Sequence, residues 1–102
     1  MKLLVITCIA EIKAEMISLL KKSGVTALSE MSVTGHKLLT EGHHSDEWFA
    51  GGGESYDSVL LFSFCEAEVA SACFAAVSGY LNVIKTLFPP KIAVLEVENA
   101  LF

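Results

Sequence analysis

Apolar and polar positions alternate along four segments of the chain with the two-residue period of β-strands. In residues 2–9, KLLVITCI, both alternating faces are largely apolar, which is typical of a strand covered on two sides. Residues 56–64, YDSVLLFSF, repeat this pattern, and residues 91–98, KIAVLEVE, alternate as a last strand. Residues 25–34, VTALSEMSVT, carry more polar side chains, so they predict a strand that is less fully buried.

Two further segments have the 3.6-residue period of a helix. In EIKAEMISLLKKSG, residues 11–24, apolar side chains share one face, acids lie at the start and lysines at the end. Gly24 follows the last lysines, and a glycine there favours a left-handed cap that ends the helix. The second segment is CEAEVASACFAAVSGYL, residues 65–81, and Pro89-Pro90 must end any helix that continues beyond it.

The order of these elements, βα-β-loop-βα-β, predicts an α+β fold of the ferredoxin-like type. In this βαββαβ arrangement, a four-stranded antiparallel sheet carries both helices on one face. The 102 residues are enough for a single domain with one core, residues 1–102. Because both faces of three strands are apolar, the face without helices needs a cover, and another copy of the same sheet would provide one.

The composition supports self-association and excludes several classes of partner. Charged residues make up 19% of the chain, below the usual share of about 25%. The net charge of −5 argues against binding to nucleic acid or to anionic membranes. No apolar run reaches the roughly 18 residues that span a bilayer, and the first residues predict a strand rather than a secretion signal. We therefore expect a cytoplasmic protein with reduced thiols at Cys8, Cys65 and Cys73.

Two segments at the ends of the chain carry a known order of motifs. MKLLVITCIAEIKAEMISLLKKSGVTALSEMSVTGHK contains a strand, a helix that ends in a glycine turn, and a second strand that runs into Gly-x-basic. KIAVLEVENAL contains a lysine, an alternating apolar run and a Val-Glu pair. Both resemble PII signal-transduction proteins, at the opening and in the last strand respectively, and together they cover about half of the chain.

The resemblance implies a homotrimer with three small-molecule sites in the clefts between subunits. In PII proteins, glycines at the foot of a long mobile T-loop and a turn before the last strand hold a nucleotide phosphate, and the loop docks onto partner enzymes or transporters. Carried over by position, Gly35, His36 and Lys37 lie at the loop base and Lys91 is the phosphate-side lysine. The T-loop-like segment is residues 37–55, and the partner protein could be a membrane transporter.

The chain departs from the PII pattern in the turn before the last strand. PII proteins have a glycine-aspartate-glycine turn there, whereas this chain has Thr86-Leu87-Phe88-Pro89-Pro90. Proline removes the backbone donors from which a phosphate cradle is built. The resemblance is therefore to a divergent PII-like protein, whose ligand could be a nucleotide or another small molecule.

The loop itself contains two sets of candidate residues. His43, His44 and Asp46 are ligand types that a divalent metal such as zinc prefers, although a solvated polar loop is the simpler explanation of them. Trp48 and Phe49 either pack under the edge of the sheet or form a hydrophobic anchor for a partner.

Two alternatives to a PII-like sensor remain open. The CutA family of divalent-cation tolerance proteins shares the fold, and a proline near the last strand and a tryptophan near the third strand resemble it. This would make the chain a metal-binding protein associated with metal tolerance or efflux. The other alternative is a structural trimer. The sequence contains neither GxSxG nor HExxH, and we do not expect an enzyme.

Overall fold

The computed structural model describes residues 1–38 and 53–102 of the chain. Its elements, in chain order, are β1 (Lys2–Ile9), a 3-10 helix (Ala10–Ile12), α1 (Lys13–Lys22), β2 (Ser29–Leu38), β3 (Gly53–Cys65), α2 (Ala67–Val83) and β4 (Lys91–Glu96). These strands form one antiparallel sheet in the order β2-β3-β1-β4. The predicted ferredoxin-like βαββαβ fold is confirmed.

The core lies between the helices and one face of the sheet. Cross-strand partners share a face, and the pair Ile6 and Leu61 lies at the centre of the helix-covered face. Both helices pack here: Met16 and Leu20 of α1 and Val77 of α2 are fully buried against the strands. Shortening one of these large side chains to alanine would cost about 2–5 kcal/mol, because it leaves a cavity in a closely packed layer.

The C-terminus of α1 is closed by the glycine that the sequence predicted. Gly24 has a φ of 109°, in the left-handed region. The N–H of Val25 donates to the carbonyl of Leu20, and the N–H of Gly24 donates to that of Lys21, at 3.0 and 3.2 Å. This is the hydrogen-bond pattern of a Schellman motif. Val25, the residue after this turn, is also buried in the core.

Strand β2 begins four residues later and ends four residues later than predicted, at Ser29–Leu38 instead of 25–34. The prediction was wrong at the first end because residues 25–28 form an irregular connection between the turn at residues 23–24 and the strand. The carbonyl of Ala27 accepts a hydrogen bond of 2.7 Å from the buried hydroxyl of Ser63, which fixes this connection to β3. At the other end, β2 pairs with β3 as far as Leu38.

The second face of the sheet is apolar, as the alternation predicted. The rows Leu3–Phe64 and Val5–Phe62 cross it between β1 and β3, and Leu95 extends it onto β4. Phe64 is 45% exposed and Leu95 is 47% exposed. No helix of the described residues packs on this face, and we call it the open face. The ring of Phe102 lies edge-on to that of Phe64, with centroids 5.3 Å apart.

Within residues 1–38 and 53–102, neither helix is long and apolar enough to cross a membrane.

Candidate functional site

The two strands that lead into and out of the predicted loop are paired up to Leu38 and Gly53. The T-loop-like segment predicted at residues 37–55 therefore begins and ends within β2 and β3. Its remaining residues, 39–52, are outside the described part of the chain. The predicted metal ligands His43, His44 and Asp46 and the predicted partner anchor Trp48 and Phe49 all lie outside the described residues.

The base of the hairpin is built around a glycine and an aromatic ring. Gly35 of β2 is the cross-strand partner of Tyr56 of β3, and the ring lies against the glycine backbone. A Cβ atom added at Gly35 would lie 2.6 Å from Cζ of Tyr56, closer than real Cβ contacts. Only a residue without a side chain leaves room for the ring in this arrangement. Tyr56 is itself half-buried.

The ring of Tyr56 also contacts the turn that precedes β4. Its centroid is 4.9 Å from that of Phe88, with the two planes inclined by 49°. Such a tilted pair is a favourable aromatic geometry, worth about 0.5–1.5 kcal/mol beyond the area it buries. The turn is held from within, because the N–H of Phe88 donates to Oγ1 of Thr86 at 3.1 Å, and Pro90 is buried.

Lys91 lies at the other end of this connection. It begins β4 opposite Thr7 of β1, on the open face. Lys91, Thr7, Tyr56 and Phe88 line one small open cleft of about 40 Å³, and Pro89 forms part of its wall. The two predicted ligand residues Gly35 and Lys91 are therefore linked through Tyr56 and Phe88. We call this the Lys91 cleft.

The structure separates the other two predicted ligand residues. Lys37 has the same alternation as Gly35 and lies on the same face, about 7 Å further towards the loop at the usual rise per residue. His36 alternates to the opposite face, where it is the partner of Ser55. Both side chains are exposed. Of the two, Lys37 is the one whose position allows it to act with Gly35.

The polar groups around the Lys91 cleft favour binding over chemistry. Ser58 donates its hydroxyl proton to the carbonyl oxygen of Cys8 at 2.7 Å, so both groups are occupied. Burial raises the pKa of the Cys8 thiol, which outweighs the opposite effect of Lys13, and the sulfur is a poor nucleophile. The charge that remains to act on a ligand is the ammonium of Lys91, which is exposed.

Sequence reasoning missed Thr7, Tyr56 and Phe88 as members of the site. A glycine opposite an aromatic residue is a recognisable signal, but it depends on the register of β2 against β3, which the sequence alone does not give. As for a metal centre, no group of three or more His, Cys, Asp or Glu residues within 1–38 and 53–102 could hold an ion.

No family model and no curated protein matches the chain. Solved structures do match it. GlnK of B. subtilis in complex with ATP has a TM-score of 0.73 at 17% identity, over 97% of this chain and 84% of that chain. Another structure of B. subtilis GlnK gives a TM-score of 0.64 at 18% identity, over 97% and 86% of the two chains.

A third similar structure is CPII, a nitrogen regulatory PII-like protein from Thiomonas intermedia K12, bound to ADP, AMP and bicarbonate. Its TM-score is 0.60 at 14% identity, over 98% of this chain and 94% of that chain. At these identities the likeness is one of fold. The chain therefore has the fold of PII-like signalling proteins, as the resemblance at its two ends implied.

Proposed function

We propose that this protein is a regulatory protein of the PII-like type. In this proposal it forms a homotrimer, binds a small molecule in the clefts between subunits and signals to a partner protein through residues 37–55. The observation that carries the proposal is the contact chain at the foot of the hairpin. Gly35 on the loop side is joined through Tyr56 and Phe88 to the cleft that contains Lys91.

The trimer is supported by the open face of the sheet. A row of large apolar side chains that includes Phe64 and Leu95 is about half exposed in the single subunit. Soluble proteins seldom leave a contiguous apolar area of this kind uncovered, because exposure costs about 25 cal/mol for each Å². Packing three sheets around one axis would bury it and would bring the Lys91 cleft of each subunit close to a neighbour.

The ligand site in this proposal consists of Gly35, Lys37 and Lys91, with His36 at its margin. Lys91 supplies a positive charge next to the turn before β4, and Lys37 continues the same face towards the loop. The similar structures of GlnK and CPII hold adenine nucleotides, and CPII also holds bicarbonate. Nucleotides and small anions are therefore the first candidate ligands.

Signalling follows from the position of the site. A ligand at Lys91 changes the environment of Phe88 and Tyr56, and Tyr56 packs on the strand that leads into the loop. A ligand that binds one arrangement of this aromatic pair more tightly shifts the population of loop conformations. Trp48 and Phe49 would then meet the partner protein, for which a membrane transporter is one candidate. The protein acts by binding, and we do not assign it a reaction.

The test combines a mass measurement in solution with a ligand panel. We expect a trimer mass by light scattering. Thermal shifts with ATP, ADP, AMP and bicarbonate should reveal at least one stabilising ligand, because binding to the folded state raises its stability. The shift should be lost in Lys91→Ala and kept in Lys22→Ala, an exposed lysine at the end of α1. A monomer without a Lys91-dependent ligand would contradict the proposal.

The CutA-like alternative of a metal-binding tolerance protein uses His36 of β2 together with His43, His44 and Asp46, and the last three lie outside the described residues. The similar solved structures give it no support, since those compared are GlnK and CPII. Zinc in the same thermal panel tests it directly. A zinc shift that disappears in His43→Ala/His44→Ala would favour the alternative.

A further inference from the structure

The outer side of α2 is exposed and carries almost no charge. Four of the ten residues of α1 are charged, whereas Glu68 is the one charged residue among the 17 of α2. Helices that face water normally carry charged and polar side chains on the exposed side. On α2 that side consists mainly of small and apolar residues, and the ring of Phe74 is about half exposed at its centre. This distribution indicates a surface that a partner covers.

An apolar groove runs between this side of α2 and the edge strand β4. The helix contributes residues of one face, spaced by three and four positions: Ala67, Ala70, Ser71, Phe74, Ala75 and Ser78. Val94 lines the groove from β4, and Lys2 lines it from β1. We call this the α2–β4 groove.

Val94 shows that the layer of helices stops short of the edge of the sheet. It is the cross-strand partner of Leu4, so both side chains lie on the helix-covered face. Leu4 is 1% exposed, but Val94 is 38% exposed. A further helix beside α2 would cover Val94 and extend the layer to the edge strand. Small residues such as Ala75 would let the axes of the two helices approach to about 8 Å.

The two ends of the groove differ in charge. The exposed acids Glu66 and Glu68 lie at the N-terminal end of α2, and the ion pair of Glu96 with Lys2 borders the groove there. Lys85 follows the C-terminal end of α2. Helices commonly have acids in the first turn and basic residues in the last turn. Such a helix, packed antiparallel to α2, would bring opposite charges together at both ends.

We propose that the α2–β4 groove docks an amphipathic α-helix of a partner protein, antiparallel to α2. The contact face of this helix carries small or aliphatic side chains, which bury Phe74 and Val94, and its last turn carries basic residues that meet Glu66 and Glu68. The groove lies on the side of the sheet opposite the open face, so it stays accessible when open faces pack together. The inference depends neither on the proposed ligand site nor on the trimer. An anionic membrane fits less well, because it attracts basic residues and repels these acids.

Fluorescence anisotropy of a labelled synthetic peptide tests this with the full chain. The peptide has about 18 residues, long enough to form a helix alone. It carries Leu and Ala on one face, Glu in the first turn and Lys in the last turn. We expect it to bind, and we expect a peptide with Glu and Lys exchanged to bind about two- to fivefold more weakly, the usual size of an exposed charge interaction. A scrambled peptide of the same composition, without an apolar face, should not bind.

Substitutions in the protein locate the binding. Ala75→Arg should lower the affinity for the peptide by about tenfold or more, because a long charged side chain fills the groove. Ser18→Arg is the matched control, since it places the same side chain on the exposed side of α1 and should bind like the parent. Glu68→Lys should weaken binding of the first peptide and strengthen binding of the charge-exchanged peptide.

Several outcomes would overturn the inference. One is that the parent does not bind the peptide, or binds the scrambled peptide equally well. Another is equal affinity in Ala75→Arg and Ser18→Arg, with circular dichroism showing both to be folded. Unchanged peptide preference in Glu68→Lys would refute the antiparallel orientation. Vesicle binding that Ala75→Arg abolishes would assign the groove to a membrane, and a doubled mass that Ala75→Arg halves would assign it to a second copy. A monomeric parent without a Lys91-dependent ligand would count against the proposed function alone.

Discussion

The ring of Tyr56 lies against the backbone of Gly35 so closely that a methyl group on the glycine would be 2.6 Å from Cζ of the tyrosine. The two residues are direct cross-strand partners at the point where the β2–β3 hairpin leaves the body of the sheet. Because Tyr56 also lines the Lys91 cleft, this contact couples the conformation of the hairpin to the shape of the cleft.

Gly35→Ala should destabilise the protein by about 1–3 kcal/mol, because the new methyl group forces the Tyr56 ring out of its place. The measurement is the free energy of unfolding in urea. In a double-mutant cycle, Gly35→Ala should cost much less in a Tyr56→Ala background, where the space is free. Equal costs in the two backgrounds would mean that the two side chains do not compete for the same volume.

Gly24→Ala should also destabilise the protein, by about 1–2 kcal/mol, because its φ of 109° is unfavourable for a residue with a Cβ atom. Gly79 is the matched control. It lies within α2, and a Cβ atom there meets nothing within 4 Å. Gly79→Ala should therefore stabilise the protein by about 0.5–1 kcal/mol, the usual helix preference for alanine. The two changes are predicted to shift the unfolding temperature in opposite directions.

Leu95→Lys should reduce the mass of the protein in solution from that of a trimer to that of a monomer. Leu95 lies on the open face of the edge strand β4, so the substitution introduces a charge into the interface if the open faces pack together. Phe74→Lys is the control, since Phe74 is 49% exposed and Leu95 is 47% exposed, but Phe74 belongs to α2 on the opposite side of the sheet. Light scattering would contradict the proposed assembly if both variants kept the parent mass or if both lost it.

The ion pair between Lys2 and Glu96 should make a small contribution to stability that depends on pH. A hydrogen bond from Lys2, together with its charge, lowers the pKa of the Glu96 carboxyl. A lowered acid pKa gives stability that is present above the ordinary value of about 4.3 and is lost as the pH falls through the folded-state value.

The parent protein and Glu96→Gln should therefore differ slightly in melting temperature at neutral pH, and the difference should vanish in acid and shrink with added salt. Glu98→Gln, at an exposed acid two residues further along, serves as the comparison. A difference for Glu96→Gln that is constant from neutral to acid pH would show that the ion pair is not its source.

Much of the fold was predictable from local patterns. The alternation in residues 2–9 gave β1 with its bounds, and the position of Gly24 gave the cap that ends α1. Both depend on neighbours in the sequence, and local patterns suffice for them. The bounds of β2 were not predictable in this way. Residues 25–28 have the pattern of a strand, but contacts with Leu20 and with Ser63 of β3 hold them in an irregular connection.

The residues of the candidate site also include some that the sequence predicted and some that only the structure revealed. Gly35 and Lys91 were predicted as ligand residues from the resemblance of their segments to PII proteins. The order of the strands and helices was predicted from the periodicity of apolar residues. The sequence by itself determined which residues are apolar on which period, and hence the strands, the helices and an apolar face that lacks a helix. These are properties of neighbouring residues along one chain.

Only the tertiary structure decided that Tyr56 covers Gly35, that Phe88 holds this ring, and that both share a cleft with Lys91. These residues are far apart in sequence, and their meeting depends on strand register, where a shift of one residue would turn every side chain to the other face. Register is fixed by the packing of the whole sheet against the helices, and the arrangement of these four residues follows from that packing.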